Sequence, residues 1–125
     1  MEKSSVLIAD DDTNIREMYA IAFTQAGITV IQATNGQECV ELALKHHPGA
    51  ILVDIMMPVL NGHEAIAKIR LDPWGKKANV VYLTNMSDAE NVFHAVEHGT
   101  DAYIVKANTS VKEVVNKVRL AMQTR

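Results

Sequence analysis

The sequence predicts an α/β fold: five strand–helix repeats, (βα)5, doubly wound into a five-stranded parallel sheet. Three observations predict it. Five short apolar runs recur along the chain, at residues 6–9 (VLIA), 29–33 (TVIQA), 50–53 (AILV), 80–83 (VVYL) and 103–105 (YIV). Each is too short for a helix, and most are apolar at every position, as strands buried on both faces of a parallel sheet are. Longer stretches with apolar residues at helical spacing separate them, bracketed by helix start and stop signals. Strands that alternate with helices in this way join by right-handed crossovers, which place helices on both faces of the sheet. Periodicity leaves the strand order open. One common doubly wound order is 2-1-3-4-5, and ligands then lie beyond the carboxyl ends of the strands near the switch point.

The elements follow in order. The first run ends at Asp10, Asp11 and Asp12, and either Asp12 or Thr13 can cap the helix that follows. In that helix Ile15, Met18, Tyr19, Ala22 and Ala26 fall on one face, and Gly27 supplies the stop. Asn35 can cap a second helix, with Glu38 three residues on and Pro48 beyond its end. A turn at Asn61-Gly62 opens a third helix, which runs to about Arg70 before the breaker cluster Asp72-Pro73-Trp74-Gly75. Ser87-x-x-Glu90 is a capping box for a fourth helix, stopped at Gly99, and Ser110-x-x-Glu113 is another. The fifth helix carries Val111, Val114, Val115, Val118, Ala121 and Met122 in helical register.

A chain of 125 residues, 48% of them hydrophobic and 22% charged, is the size and composition of one globular domain, and no repeat or linker divides it. The net charge of −3 argues against a broad nucleic-acid footprint. No apolar run approaches the ~20 residues of a membrane helix. The N-terminus turns acidic too soon for a signal peptide. The single cysteine, Cys39, has no internal disulfide partner and fits a reducing compartment, so a cytoplasmic location is expected.

The residues expected at the carboxyl ends of the strands carry the chemistry. Asp10 and Asp11 follow the first strand, Asp54 ends the third, Thr84 ends the fourth and Lys106 follows the fifth. Each has an ordinary explanation alone: a helix cap, a turn former, a helix-entry residue, a solvated ammonium. Together on one sheet edge they make a specific set. Clustered carboxylates repel, and a hard divalent cation such as Mg²⁺, which prefers oxygen ligands, relieves the repulsion. An ammonium and a hydroxyl opposite them suit phosphoryl oxygens. A carboxylate beside Mg²⁺ can act as a nucleophile and accept a phosphoryl group as an aspartyl phosphate. That reading makes Asp54 the nucleophile, Asp10 and Asp11 metal partners, and Thr84 and Lys106 the phosphoryl contacts.

The segments VLIADDDTNIR (6–16), AILVDIMMPVLNG (50–62), VVYLTN (80–85) and DAYIVK (101–106) resemble the receiver domains of two-component response regulators, in particular the stand-alone, chemotaxis-like kind. The resemblance covers nearly the whole chain, residues 1–125 as a single receiver. It implies the flavodoxin-like order 2-1-3-4-5. It also implies that Asp54 takes its phosphoryl group from a phosphohistidine on a sensor histidine kinase or phosphotransfer protein. Asp11, Asp54 and the Met56 backbone carbonyl would then bind Mg²⁺ directly, and Asp10 mainly through metal-bound water. Thr84 and Tyr103 would be the switch pair, acting on a surface of the fourth helix, fifth strand and fifth helix that controls a partner protein or an effector domain. Ile15 and Met18 lie in the region that the family presents to its kinase. Such a module is no turnover enzyme: it catalyses its own phosphorylation and slow autodephosphorylation.

Some positions depart from the family pattern. Ala107 replaces the usual Pro after the lysine, and there a trans peptide is expected. Asn85 is larger than the usual residue after the threonine. Met56 and Met86 stand where polar side chains often position the hydrolytic water, so loss of the phosphoryl group should be slow.

The remaining signals are weaker. His94 and His98 have the spacing of a helical metal pair, but Ala95 stands where H-E-x-x-H needs its glutamate, and solvent-exposed histidines are expected. His46 and His47 end the second helix in the same way, and Cys39 reads as a small packing or surface residue. Trp74, Lys76 and Lys77 fall on a predicted loop. Neither G-x-x-x-x-G-K-S/T nor G-x-G-x-x-G is present, which weakens nucleotide-binding readings. A phosphohydrolase working through an aspartyl phosphate would need a carboxylate two residues past the nucleophile, where Met56 stands, and usually a cap. A flavin-binding relative would need a Ser/Thr/Gly loop after the first strand, where the aspartates stand. Neither direct nucleic-acid binding nor membrane contact is expected of this chain.

Overall fold

The computed structural model describes residues 2–84, 102–106 and 109–123. In chain order these form β1 (Glu2–Ala9), α1 (Thr13–Gln25), β2 (Thr29–Ala33), α2 (Gly36–His46), β3 (Pro48–Asp54), α3 (Gly62–Ile69), a 3-10 turn (Gly75–Lys77), β4 (Val80–Thr84), β5 (Ala102–Val105) and a C-terminal helix (Val111–Gln123). The strands pair in parallel in the order β2-β1-β3-β4-β5, as the resemblance implies. The expected fourth helix, with His94 and His98, lies outside the described residues, as do Asn85, Met86 and Ala107.

Side-chain alternation along the three inner strands divides the core into two layers. Leu7 and Ala9 of β1, Ile51 and Val53 of β3, and Val80 and Tyr82 of β4 pack against α2 and α3. Val6 and Ile8, Ala50 and Leu52, and Val81 and Leu83 pack against α1 and the C-terminal helix. The edge strands are only partly covered, so burial on both faces, expected for all five, holds for the inner three. β1 begins at Glu2 rather than Val6. Ladder bonds use backbone groups whatever the side chain, and after a register shift Glu2 pairs with Pro48.

The predicted caps among the described residues form, and the Ser87–Glu90 box lies outside them. The Asp12 carboxylate accepts from the Ile15 N–H at 3.1 Å, Asn35 accepts from Glu38 at 2.9 Å, and Ser110 and Glu113 bond reciprocally at 3.0 and 3.2 Å. A further capping box joins Asn61 and Glu64. The N-x-x-E spacing that signals it is present in the sequence. Gly27 takes a φ of +83°, which L side chains rarely adopt, and turns the chain from α1 into β2.

Two details differ from expectation, and Cys39, expected to be a packing or a surface residue, proves to be the former. The buried stripe of α1 is Arg16, Tyr19, Ala20 and Phe23. Met18 is exposed, and Ile15 and Ala22 lie at the margin of the core. Helix spacing allows both stripes, and the burial of an arginine hid the correct one. His47 is the left-handed C-cap of α2, with φ 50°. Its ring stacks on Trp74, with centroids 4.5 Å apart and planes 5° from parallel. Cys39 is fully buried, and burial pushes its thiol up to about 12, so it is a packing residue.

The loop between β3 and α3 is tightly bent. The Leu60 N–H donates to the Pro58 carbonyl at 2.8 Å across Val59, whose φ is 72°. A β-branched residue in that region is strained. The neighbouring chain holds it there: the Leu60 carbonyl occupies the space that a Cβ on Gly36 would fill.

Candidate functional site

The pleat that divides the core also aims the functional side chains. Asp10 continues the Val6–Ile8 alternation, Asp54 that of Ala50 and Leu52, and Lys106 that of Ile104. All three therefore emerge on the side of α1 and the C-terminal helix, at the carboxyl edge. Thr84 and Tyr103 have the opposite parity: Thr84 follows Val80 and Tyr82, and Tyr103 packs against the α2–α3 layer, in register with Tyr82. Parallel pairing brings the strand ends level, Ala9 beside Val53, Asp54 beside Leu83 and Thr84 beside Val105.

The convergence is close. Carboxylate oxygens of Asp10, Asp11 and Asp54 lie within 4.8 Å of one another. The Lys106 ammonium is 3.0 Å from Asp10 Oδ2 and 3.6 Å from Asp54 Oδ2. Asp10 is 1% exposed and Asp54 6%, Thr84 is buried, and Asp11 stands out in solvent. Asp10 is held at its other oxygen by the Asp12 N–H at 3.0 Å. The Met56 N–H lies 3.4 Å from Asp54 Oδ1, while the Met56 side chain is exposed. Gly62 makes the close approach of α3 possible: a Cβ there would stand 2.5 Å from the Asp54 carbonyl oxygen.

Burial pushes the Asp54 carboxyl up to about 6. Lys106 opposes that rise, Asp10 and Asp11 add to it, and the Met56 N–H lowers it. Desolvation thus outweighs repulsion between the carboxylates, which the sequence put first. Burial also opposes the charge on Lys106, but Asp54 and Asp10 outweigh it and hold the ammonium above its ordinary value. Lys106 is therefore cationic at neutral pH, and Asp54 is largely ionised there.

The donor set fits a hard divalent cation: oxygen ligands only, one of them, Asp11, open to water. The ammonium is compact and sits against two of the three carboxylates, so a phosphoryl group arriving at Asp54 would meet a cation on one side and oxygen donors for a metal on the other.

One residue at this edge carried no role in the sequence reading. Arg16 is 9% exposed. Its Nη1 donates to the Asp10 backbone carbonyl at 2.9 Å and its Nε to Gln32 Oε1 on β2 at 2.9 Å. The signal was a charged residue at helical spacing from Tyr19, Ala20 and Phe23.

Residues 6–119 match the sequence model of the response regulator receiver domain family. The chain is a receiver domain. Receiver domains are phosphoacceptor modules of two-component signalling, and they interact with sensor histidine kinases and downstream targets. The receiver is 32% identical over 120 residues to the transcriptional regulatory protein SrrA of Staphylococcus aureus, matching 96% of this chain and 48% of that one. It spans about half the length of the curated relatives it matches. Its fold matches the receiver domain of the Francisella response regulator 1452 with a TM-score of 0.85 and 28% identity, covering 96% and 97% of the two chains. It also matches the receiver of the sensor histidine kinase PA1611 of Pseudomonas aeruginosa, with a TM-score of 0.87, 21% identity and coverage of 97% and 98%. That last structure has a magnesium ion coordinated in its active-site cleft, and at this identity the likeness speaks for the fold. Receiver domains bind Mg²⁺ at an acidic pocket, and Asp10, Asp11 and Asp54 make such a cluster here. Among the described residues no helix is long and apolar enough to cross a membrane.

Proposed function

We propose that this receiver accepts a phosphoryl group on Asp54 from a phosphohistidine of a sensor histidine kinase or phosphotransfer protein. The observation that carries the reading is the placement of Lys106, 3.0 Å from Asp10 and 3.6 Å from Asp54, beside three carboxylates whose oxygens lie within 4.8 Å. Asp11, Asp54 and the Met56 carbonyl would hold Mg²⁺ directly, with Asp10 acting through metal-bound water. When bound, the ion neutralises charge on the phosphoryl oxygens.

An ionised Asp54 oxygen attacks phosphorus and the P–O bond forms as the P–N bond breaks. The electron pair of the P–N bond returns to the donor imidazolium, which leaves as a neutral ring. Lys106 shifts its contact from the Asp54 carboxylate to a phosphoryl oxygen, and the Thr84 hydroxyl donates to another. Met56 can neither orient a water well nor act as a base, so the acyl phosphate persists. Its slow loss makes this a switch and not a turnover enzyme.

The output runs through Thr84 and Tyr103, which share the opposite sheet face. Movement of Thr84 toward the phosphoryl group opens space that Tyr103 fills, so phosphorylation biases two packings. Their readout is the surface of β5, the C-terminal helix and the segment between β4 and β5, offered to a downstream protein or an effector domain. Ile15, at the rim of the core, and the exposed Met18 belong to the face that meets the phosphodonor. The 125 residues act as a single receiver unit in the cytoplasm.

Incubation with acetyl phosphate and Mg²⁺ tests the assignment. Intact mass should rise by one phosphoryl group in the wild type and stay unchanged in Asp54→Ala. An adduct that persists in Asp54→Ala, or rapid multiple turnover of a small phosphate ester, overturns it.

A further inference from the structure

The buried guanidinium of Arg16 has an unusual set of partners. It lies on the core face of α1, and neither of its bonds goes to a carboxylate: one reaches the Asp10 backbone carbonyl and the other the side-chain oxygen of Gln32. Burying an arginine is costly unless its donors are satisfied, and here they are spent on a loop carbonyl and on the edge strand next to it. We infer that Arg16 is a positioning residue for the cation-binding acids, fixing the Asp10–Asp11 peptide so that the exposed Asp11 carboxylate is presented to the metal. The inference rests on the phosphoacceptor reading of the site.

The Asp10 side chain is already held twice, by Lys106 at 3.0 Å and by the Asp12 N–H at 3.0 Å. Asp11 is exposed, so it depends on the backbone for its placement. The carbonyl that Arg16 grips belongs to the peptide that leads into Asp11. Because that peptide is planar, holding its oxygen fixes the plane and with it the starting point of the Asp11 side chain. Gln32 holds the other side of the fork. It lies on β2, one residue before Ala33, whose own carbonyl accepts from the Asp10 N–H at 3.2 Å. The β1–α1 loop is thus tied to β2 by the backbone at one point and by Arg16 at another. Partners behind metal ligands of this kind commonly change metal affinity by about 10- to 100-fold when removed.

The test separates affinity from chemistry. Phosphorylation by acetyl phosphate is measured across a Mg²⁺ titration for wild type, Arg16→Met, Arg16→Lys and Gln32→Leu. In parallel, the urea midpoint of each protein is followed against Mg²⁺, which reads binding without any phosphoryl transfer. Arg16→Met keeps the length of the apolar stem and removes every donor. Its half-saturating Mg²⁺ should rise about 10-fold in both measurements, while the rate at saturating Mg²⁺ falls less than threefold. Arg16→Lys retains one donor for the Asp10 carbonyl and should recover most of the affinity. Gln32→Leu, which leaves the carbonyl bond in place, guards against loss of folding in the Arg16 variants and should show a smaller shift in the same direction. A half-saturating Mg²⁺ in Arg16→Met equal to wild type overturns the inference, as does Arg16→Lys behaving like Arg16→Met. If Arg16→Met does not fold, an unchanged half-saturation in Gln32→Leu overturns it instead. A wild type that is phosphorylated and stabilised by Mg²⁺ leaves the phosphoacceptor reading standing in each of those cases. If the wild type shows neither, that reading and this inference fall together.

Discussion

At neutral pH Asp54 carries a charge that its surroundings oppose. Its carboxyl is held at about 6, against 3.8 for an ordinary aspartate. The folded state therefore binds more protons than the unfolded state between those values. The stability that Asp54 contributes is present below 3.8 and lost as pH rises through about 6. Each unit corresponds to about 1.4 kcal/mol, so at pH 7 the cost of keeping the site assembled is about 3 kcal/mol before solvent screening and on the order of 2 kcal/mol after it. Asp54→Asn removes the charge and leaves Lys106 its closer partner, Asp10, at 3.0 Å. That variant should be more stable than wild type at pH 7 in chelator, by roughly 1–2 kcal/mol, with the gap narrowing as pH is lowered. Mg²⁺ should stabilise the wild type and do much less for the variant, since it binds the assembled acids and not the unfolded chain. Urea unfolding with and without Mg²⁺, at matched ionic strength, checks both expectations. A variant less stable than wild type in chelator would show that the Lys106–Asp54 contact outweighs the burial of the charge.

At the scale of elements, the third helix is placed by what its first residue lacks. A Cβ on Gly62 would meet the Asp54 carbonyl oxygen at 2.5 Å and the Ile55 Cα at 3.0 Å. Gly62→Ala must therefore push the start of α3 away from the end of β3, at a cost of about 1–3 kcal/mol, and should slow phosphorylation because Asp54 moves with its backbone. Asp12→Ala removes only the α1 cap, at about 1 kcal/mol, and should leave the rate nearly intact. Urea midpoints together with initial phosphorylation rates distinguish a site effect from a stability effect. The same contrast explains what the sequence made legible. Strands, caps and stops depend on local residue chemistry, and Asp12, Asn35 and Ser110 could be read one by one. So could the meeting of Asp10, Asp54 and Lys106, because parallel strands align their carboxyl ends. The helix that buries Arg16 could not, since an arginine reads as solvated until its two partners on other elements are known. The stack of His47 on Trp74 was hidden for the same reason: it joins residues 27 positions apart, one at a helix end and one in a turn. The larger share of burial in the Asp54 shift needed the depth of the pocket, which no spacing reports.

For the molecule as a whole, the pleat gives the sheet two separate duties. The acids and Lys106 occupy one face at the carboxyl edge, and the Thr84–Tyr103 pair the other. On phosphorylation, amide shifts should spread from Asp54 through Thr84 to β5 and the C-terminal helix, and remain small in β2 and the second half of α2. Two-dimensional amide spectra before and after treatment with a phosphodonor would show this. Shifts confined to residues around the three acids would mean that the two faces are not coupled. The stack between α2 and the 3-10 turn has a consequence for how any of this can be watched. Trp74 is the only tryptophan in the chain, and it sits against His47 near the start of β3, at the amino edge of the sheet. Its ultraviolet emission is therefore a gauge of whether the domain is folded, and it is blind to the carboxyl edge. A Mg²⁺ titration should leave that emission flat, urea should change it in one cooperative step, and an optical sensor of phosphorylation would have to be built by placing a second indole elsewhere.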